Sequence, residues 1–237
     1  MKLLGFDIEI SEIFDLKPQE DINKYAPFHI SVASTVIDGG EERIWYSTDN
    51  HKKPLASITK EKAADLLNYL KAKQEEGFMI CAWNGLGFDM QWIGYNAKNM
   101  KLASEVARKI YDPMFQFFNQ RGFPVGLASV ARAMGIKQSK LMTGEDAPKQ
   151  WQAGNYQKVM DYVLGDSQIT NLIVKKIITK KEIAWVTQKG EIKTEPIARL
   201  KTVEEILKEP EPDQSWMSTP VLRKNFYRWF PKTKSIR

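Results

Sequence analysis

The sequence predicts an α/β fold, with strands and helices in one domain, followed by a smaller C-terminal appendage. Three observations favour this class. Residues 3–10 form a short apolar run with the alternation of a strand. Residues 29–38 and 41–48 are β-rich runs joined across two glycines, which is typical of a hairpin. Residues 59–76 carry apolar side chains at helical spacing and are followed by another apolar run at 78–83.

Two carboxylates interrupt the first strand. Because strand side chains alternate between faces, Asp7 and Glu9 share one face, about 7 Å apart along the strand. Acids placed side by side repel one another unless water or cations surround them, and oxygen ligands on a rigid strand suit Mg²⁺ or Mn²⁺. Taken alone, this pair is better explained by an edge strand with a solvated acidic face, which is common.

The composition indicates a globular protein of 237 residues, because 43% hydrophobic and 11% aromatic residues are ample for a core. Cys81 is the one cysteine, which excludes an intramolecular disulfide framework and a cysteine zinc cluster, and its apolar surroundings predict a buried, inert thiol. We find no signal peptide pattern and no apolar stretch of membrane-spanning length. We therefore expect a soluble cytoplasmic protein in a reducing setting, with no membrane partner.

The net charge of +6 is concentrated at the C-terminal end. Residues 221–237 contain six basic residues and no acidic ones, which leaves 29 basic and 29 acidic residues in 1–220. The six are Arg223, Lys224, Arg228, Lys232, Lys234 and Arg237. The overall charge therefore predicts a basic tail, and it does not predict a basic groove on the body.

The helix predicted over 59–76 begins at Thr59, a suitable N-cap, and ends at Gly77. The apolar run that follows is typical of a central strand buried on both faces. It ends in a Gly-bearing turn at residues 84–87, before a helix predicted over 88–97. Because α/β sheets bind ligands at the carboxyl ends of such strands, Asp89 just after this turn is a candidate site residue, although helix-start acids are also common for electrostatic reasons.

The middle of the chain is less regular. We predict a helix over 103–108, a strand over 109–118 and a short helix over 127–134 closed by a glycine. Residues 137–154 are predicted to form a long polar loop, and loops of that length are often functional. The polar stretch 11–28 after the first strand is predicted to be a loop as well.

A long helix is predicted over 155–182. One of its faces carries Tyr162, Asp166, Ile169, Ile173 and Ile177. Asp166 interrupts this apolar stripe. An aspartate in such a position needs a partner, so Asp166 is either a satisfied core residue or a functional one, and Tyr162 by itself is more typical of a core.

The remaining residues predict a hairpin over 184–187 and 192–196, a short helix over 203–208 and a last helix beginning at Thr219-Pro220. On that last helix Lys224, Tyr227 and Arg228 would share one face. Leu222, Phe226, Trp229 and Phe230 would cluster on another. Either the apolar face docks on the body and the cations are solvated, or the helix also grips single-stranded phosphates.

Three motifs stand in order along the chain: D-x-E at Asp7 and Glu9, N-x-x-x-F-D at 84–89, and Y-x-x-x-D at 162–166. In this order and spacing they resemble the three motifs of the DEDD superfamily of 3′–5′ exonucleases, and the tyrosine in the third motif is typical of the DEDDy branch. The residues of the first two motifs are most similar to those in the proofreading exonuclease domain of family B DNA polymerases. The resemblance covers residues 1–184 and implies a ribonuclease H-like mixed sheet of three antiparallel strands followed by parallel strands, with 185–237 as an appendage.

The resemblance also implies a role for each site residue. Asp7 would bridge two divalent cations, Mg²⁺ or Mn²⁺, while Glu9 and Asp166 would hold the cation that carries the attacking water. Asp89 would reach the second cation, and Tyr162 would orient the water through its hydroxyl. Two such cations stabilise the charge that develops on both sides of a phosphodiester displacement, and four acids neutralise them.

Three further residues are substrate-binding candidates. Asn84 would fix the Gly-rich corner, and Phe88 and Met90 would flank the site and contact the terminal base. The function expected from the resemblance is a stand-alone, metal-dependent 3′–5′ exonuclease that releases nucleoside 5′-monophosphates from single-stranded DNA.

Two alternatives stay open: RNA as the substrate of the same site, and a non-catalytic nucleic-acid or partner-binding module on the same fold. The Y-x-x-x-D pairing disfavours a ribonuclease H-type endonuclease.

Overall fold

The computed structural model describes residues 1–15, 20–137 and 142–232 of the chain. The strands are β1 Lys2–Ile10, β2 Ile30–Ile37, β3 Glu42–Trp45, β4 Phe78–Cys81, β5 Glu182–Val186 and β6 Ile192–Pro196. The α-helices are α1 Lys60–Glu75, α2 Asp89–Asn96, α3 Met100–Arg108, α4 Pro113–Arg121, α5 Leu127–Ala133, α6 Ala147–Gln152, α7 Tyr156–Lys180 and α8 Val203–Ile206. Short 3-10 helices lie at Ile22–Tyr25 and Arg223–Phe226.

The main sheet has four strands within the described residues, in the order β3-β2-β1-β4. Strand β1 pairs antiparallel with β2 and parallel with β4, and β2 pairs antiparallel with β3. This confirms the predicted α/β class and the mixed sheet flanked by helices. The hairpin turns at Gly39, whose positive φ of 70° a glycine adopts without strain.

The prediction of β4 as a central strand is wrong, because β1 is central and β4 lies at the edge of the sheet. The edge is nevertheless covered. Tyr111 donates its backbone N–H to the Ile80 carbonyl at 2.8 Å and forms a parallel bridge with Cys81. Cys81 is fully buried, as predicted, and burial raises the pKa of its thiol.

The strand predicted over 109–118 is also wrong, since all but its first residues belong to helix α4. Asp112 caps this helix by accepting the backbone N–H of Phe115 at 3.0 Å, and Pro113 occupies the first helical position. These two local signals overrode the apolar run. The polar loop predicted over 137–154 likewise contains helix α6, whose second residue is Pro148.

Helix α7 crosses β1 and β2 at close range. The hydroxyls of Ser34 and Ser167 are 2.6 Å apart, and Asn171 donates its side-chain amide to the Val36 carbonyl at 2.9 Å. Gly5 permits this approach, because a Cβ at that position would clash with the carbonyl oxygen of Ser167 and lie 3.0 Å from the side-chain oxygen of Asn171. The sheet therefore fixes the position of the helix that carries the third motif.

The C-terminal hairpin β5–β6 forms as predicted, but the predicted last helix does not. Its place is taken by one 3-10 turn, because Arg223 is turned inward and buried, with its guanidinium on the carbonyls of Glu209 and Pro210 at 2.9 and 3.2 Å. Phe226 belongs to the same apolar core as Phe6 of β1. The division of the chain at residue 184 stays a prediction.

Some predicted features fall on residues 16–19, 138–141 and 233–237, which lie outside the described residues. They include parts of the two polar loops and the tail cations Lys234 and Arg237. Within the described ranges, no helix is both long and apolar enough to cross a membrane.

Candidate active site

A pocket of about 600 Å³ opens where the end of β1, the turn after β4 and the middle of α7 meet. Its described lining combines acidic and apolar side chains, and contains five carboxylates and no basic side chain. The carboxylates are Asp7, Glu9, Glu12, Glu145 and Asp166. The apolar lining includes Phe14, Ile22, Trp83, Phe88 and Leu127. A pocket of this volume is within the usual range for small-ligand sites.

Three of the predicted acids come together. Carboxylate oxygens of Asp7, Glu9 and Asp166 all lie within 4.8 Å of one another. Glu9 is only 7% exposed, although the alternation of β1 allowed a solvated acidic face. Both faces of β1 are covered, because apolar core lies on one side and helix α7 crosses the other, and this turns the acidic pair inward.

Asp89 stands outside that trio but close to it. The pairing of β4 with β1 ends at Gly5, so the rest of β1 has no β4 residue beside it. The turn at 84–88 follows β4 and leads into the start of α2 next to this part of β1. The backbone N–H of Ile8 lies near enough to Asp7 and to Asp89 to lower the pKa of each. Asp89 is 3% exposed, and its Oδ1 has no hydrogen-bond partner within the described structure.

Burial and neighbouring charges raise the pKa values of three acids of this site. Burial, followed by the charges of Asp89, Asp166 and Glu9, raises the pKa of Asp7 well above its usual range. Burial, followed by Asp166 and Asp89, does the same for Glu9. Burial raises the pKa of Asp89 to about 8. Ionised together, these groups need positive charge that no side chain of the described lining provides. Oxygen-only donors suit hard divalent cations.

Tyr162 lies one helical turn before Asp166 on α7 and lines the pocket. Burial, followed by the charges of Asp166, Glu9 and Asp7, raises the pKa of its hydroxyl, and a hydrogen bond to Asp166 adds to the shift. The side chain is therefore a neutral phenol at physiological pH. Such a hydroxyl can donate one hydrogen bond and still accept another.

The substrate-binding candidates divide into two groups. Asn84 and Phe88 both line the pocket, and Asn84 holds a left-handed conformation with a φ of 62°. Met90 is fully buried in the core, which corrects the expectation that it contacts the substrate. The reason is helical geometry, since Met90 follows Asp89 on α2 and turns toward the apolar core as Asp89 turns toward β1.

The sequence reasoning missed two residues of this region. Phe14 lines the pocket from the loop after β1, stacked on Tyr25 at 4.6 Å between ring centroids. Asp112 stabilises the turn at 84–88 by accepting the backbone N–H groups of Asn84 and Leu86, both at 3.1 Å. The Asp112-Pro113 pair was a usable helix-start signal, whereas an aromatic residue in a polar loop gave little indication of its place.

Comparisons with known proteins agree with this architecture. The fold resembles that of a family B DNA polymerase from the hyperthermophilic archaeon Pyrobaculum calidifontis, with a TM-score of 0.52 and 18% sequence identity. The alignment covers 75% of this chain and 24% of the polymerase, so the protein spans about a quarter of that chain. No curated protein sequence matches. Residues 19–175 match the family model of the RNase_H superfamily, and with the mixed sheet described above this shows that the chain belongs to the RNase_H superfamily.

Proposed function

We propose that this protein is a metal-dependent 3′–5′ exonuclease that hydrolyses single-stranded DNA to nucleoside 5′-monophosphates. The observation that carries the proposal is the convergence of Asp7, Glu9 and Asp166 within 4.8 Å, with Asp89 buried beside them. The superfamily and the likeness to a polymerase support a nuclease. The direction of digestion rests on the DEDDy-type pairing of Tyr162 with Asp166.

The donor set fits divalent cations. Asp7 feels the charges of both Asp89 and Asp166, so it is the natural shared ligand of two cations. Glu9 and Asp166 would hold one of them. Asp89, whose buried Oδ1 has no hydrogen-bond partner among the described residues, would hold the other. When bound, Mg²⁺ or Mn²⁺ would stabilise the negative charge that develops on the attacked phosphate and the leaving 3′ oxygen.

The remaining side chains position the reactants. The neutral hydroxyl of Tyr162 is held by Asp166 and can orient the attacking water next to the acids. In the same pocket, Phe14 and Phe88 offer aromatic surface to the terminal base, and their rings pack on those of Tyr25 and Phe28. Stacking of this kind accepts every base, which suits an enzyme that removes nucleotides one after another.

The test is digestion of single-stranded DNA and RNA oligonucleotides of one sequence, labelled at either end, with Mg²⁺ and with Mn²⁺. A 3′ label should leave first as a mononucleotide, while a 5′ label should give a ladder that shortens stepwise. The Asp7→Ala variant is the control for contaminating nuclease. DNA should be digested faster than RNA.

Other outcomes would overturn the proposal in distinct ways. Cleavage of a covalently closed single-stranded circle would identify an endonuclease. Binding of oligonucleotides without hydrolysis, with either cation, would identify a non-catalytic binding module. Faster digestion of RNA than of DNA would identify an exoribonuclease.

A further inference from the structure

The segment 221–230 packs against the turn that leads into α2. The indole N–H of Trp229 donates to the carbonyl oxygen of Leu86 at 2.8 Å, and also to that of Phe226 at 3.2 Å. The first of these bonds joins residues 143 positions apart in the sequence. Leu86 lies in the middle of the turn whose ends carry Asn84 and Asp89.

The contact extends beyond this hydrogen bond. Phe226 is buried against the rings of Phe115 and Phe118, with centroids 5.4 and 4.7 Å away. It also lies over Gly87, where an added Cβ would be 2.9 Å from the Phe226 ring. The aromatic segment therefore covers the backbone of the turn directly, and Gly87 makes that approach possible.

The segment is itself firmly attached. The guanidinium of Arg223 donates to the Asn119 side chain at 3.0 Å and to the Glu209 carbonyl at 2.9 Å. The guanidinium of Arg108 lies over the ring of Phe230, 4.6 Å from the centroid of that ring. Arg223 and Phe230, near the two ends of the segment, are thus held to α4 and α3. The segment therefore has a fixed position from which it contacts the turn.

The turn has two backbone hydrogen bonds of its own, from the N–H of Phe88 to the Asn84 carbonyl and from the N–H of Met90 to the Gly85 carbonyl, both at 2.9 Å. Contacts from outside the turn add to them. The N-cap residue of α2, Phe88, makes no side-chain capping bond, and Asn84 adopts a left-handed conformation. Asp112 accepts the backbone N–H groups of Asn84 and Leu86. Trp229 donates to the carbonyl of Leu86, so the N–H and the carbonyl of Leu86 are both bonded to side chains from outside the turn.

We propose that Trp229 is a positioning residue that acts through the turn at 84–88 to set Asp89 against Asp7. The role rests on the proposed function, in which Asp89 holds a divalent cation. It also gives the tail a purpose other than gripping phosphates, since Arg223 is buried on carbonyl groups and is not free to meet a substrate.

The test is Trp229→Phe, which keeps an aromatic ring and removes the N–H. In the metal-free protein, hydrogen exchange of the amides in 86–90 should be faster than in the wild type. The Mn²⁺ affinity, measured by calorimetry, should fall on the order of tenfold, at the low end for residues that orient metal ligands. The kcat should fall with it at fixed Mn²⁺, while KM for the oligonucleotide stays within a factor of two.

The matched control is Trp216→Phe. Trp216 lies in the same C-terminal region, is 62% exposed, and donates its N–H only to the nearby Asp213 carbonyl among the described contacts. The control should exchange and bind Mn²⁺ like the wild type. A purely structural role for Trp229 would lower the melting temperature and the active fraction without changing the Mn²⁺ affinity of the folded protein.

Wild-type exchange at 86–90 and wild-type Mn²⁺ affinity in Trp229→Phe would overturn the inference. If that variant does not fold, Phe226→Leu perturbs the same turn through Gly87 and should give the same pattern. If the wild type hydrolyses no oligonucleotide, the proposed function fails, whereas the exchange and Mn²⁺ measurements still decide the role of Trp229.

Discussion

Replacement of Asp89 by asparagine should stabilise the metal-free protein at neutral and alkaline pH. Asp89 is 3% exposed, and its Oδ1 has no partner in the described structure. Burial raises its pKa to about 8, from an ordinary value near 3.9 in an unfolded chain. The fold therefore favours the neutral carboxyl group. Asparagine has nearly the same shape and never ionises, so it avoids the cost of charging this position.

The direction of the pH dependence follows from proton binding. Between about pH 4 and pH 8 the unfolded chain has released the Asp89 proton while the folded protein retains it, so the free energy of unfolding falls as the pH rises. One proton corresponds to about 1.4 kcal/mol per pH unit, or about 4 kcal/mol between pH 4 and pH 7. The wild type should lose this amount relative to Asp89→Asn, and the loss should end above the folded pKa of about 8.

The measurement is urea unfolding in EDTA at several pH values from 4 to 9, with the difference between wild type and variant as the readout. Asp161→Asn, at an exposed acid on the same helix as Asp166, is the control for loss of one charge. Addition of Mn²⁺ at pH 8 should reverse the order, because a bound cation stabilises the wild type and binds the variant more weakly. A difference between wild type and Asp89→Asn that does not change with pH would refute the reasoning, since it would show that Asp89 is not held neutral by its surroundings.

Three other substitutions test the site and its support. Asp7→Ala should abolish hydrolysis while the metal-free melting temperature holds or rises, because one acid leaves a crowded cluster; near-wild-type activity in Mg²⁺ would rule out the assignment. Tyr162→Phe should lower kcat on the order of 10² with Mn²⁺ affinity unchanged in calorimetry, and an equal loss of both would contradict a water-orienting role. Gly5→Ala should lower the free energy of unfolding by about 1–3 kcal/mol, because the added methyl group clashes with Ser167. Gly165→Ala, on the helix that carries Ser167, should be neutral or stabilising, since no described atom lies within 4 Å of its added Cβ; equal effects would refute the close packing.

The sequence determined the elements whose signals are local. Helix α1 begins after Thr59, which accepts the backbone N–H of Lys62 as an N-cap does, and its buried residues follow the predicted helical spacing. The hairpin β2–β3 and helix α7 formed close to their predicted bounds for the same reason. The order of the three acidic motifs was equally readable, because motif spacing is a property of the chain.

Other features depended on contacts between residues far apart in sequence. The alternation of β1 left open whether Asp7 and Glu9 face water. Only the packing of α7 across Gly5 brings them together with Asp166, in a cluster where Glu9 is buried and Asp7 is half-buried. An apolar run does not show how many strands pair with it. The prediction therefore placed β4 in the centre of the sheet, whereas it lies at the edge.

The C-terminal segment also depends on contacts between residues that are far apart in the sequence. Its aromatic and basic residues had helical spacing, yet Arg223 and Trp229 find their partners on Glu209 and Leu86, and the chain bends into a single 3-10 turn to reach them. Periodicity records the average environment of a segment within a few residues. The tertiary structure decides which backbone carbonyl a given side chain meets. No local pattern in the sequence predicts that pairing.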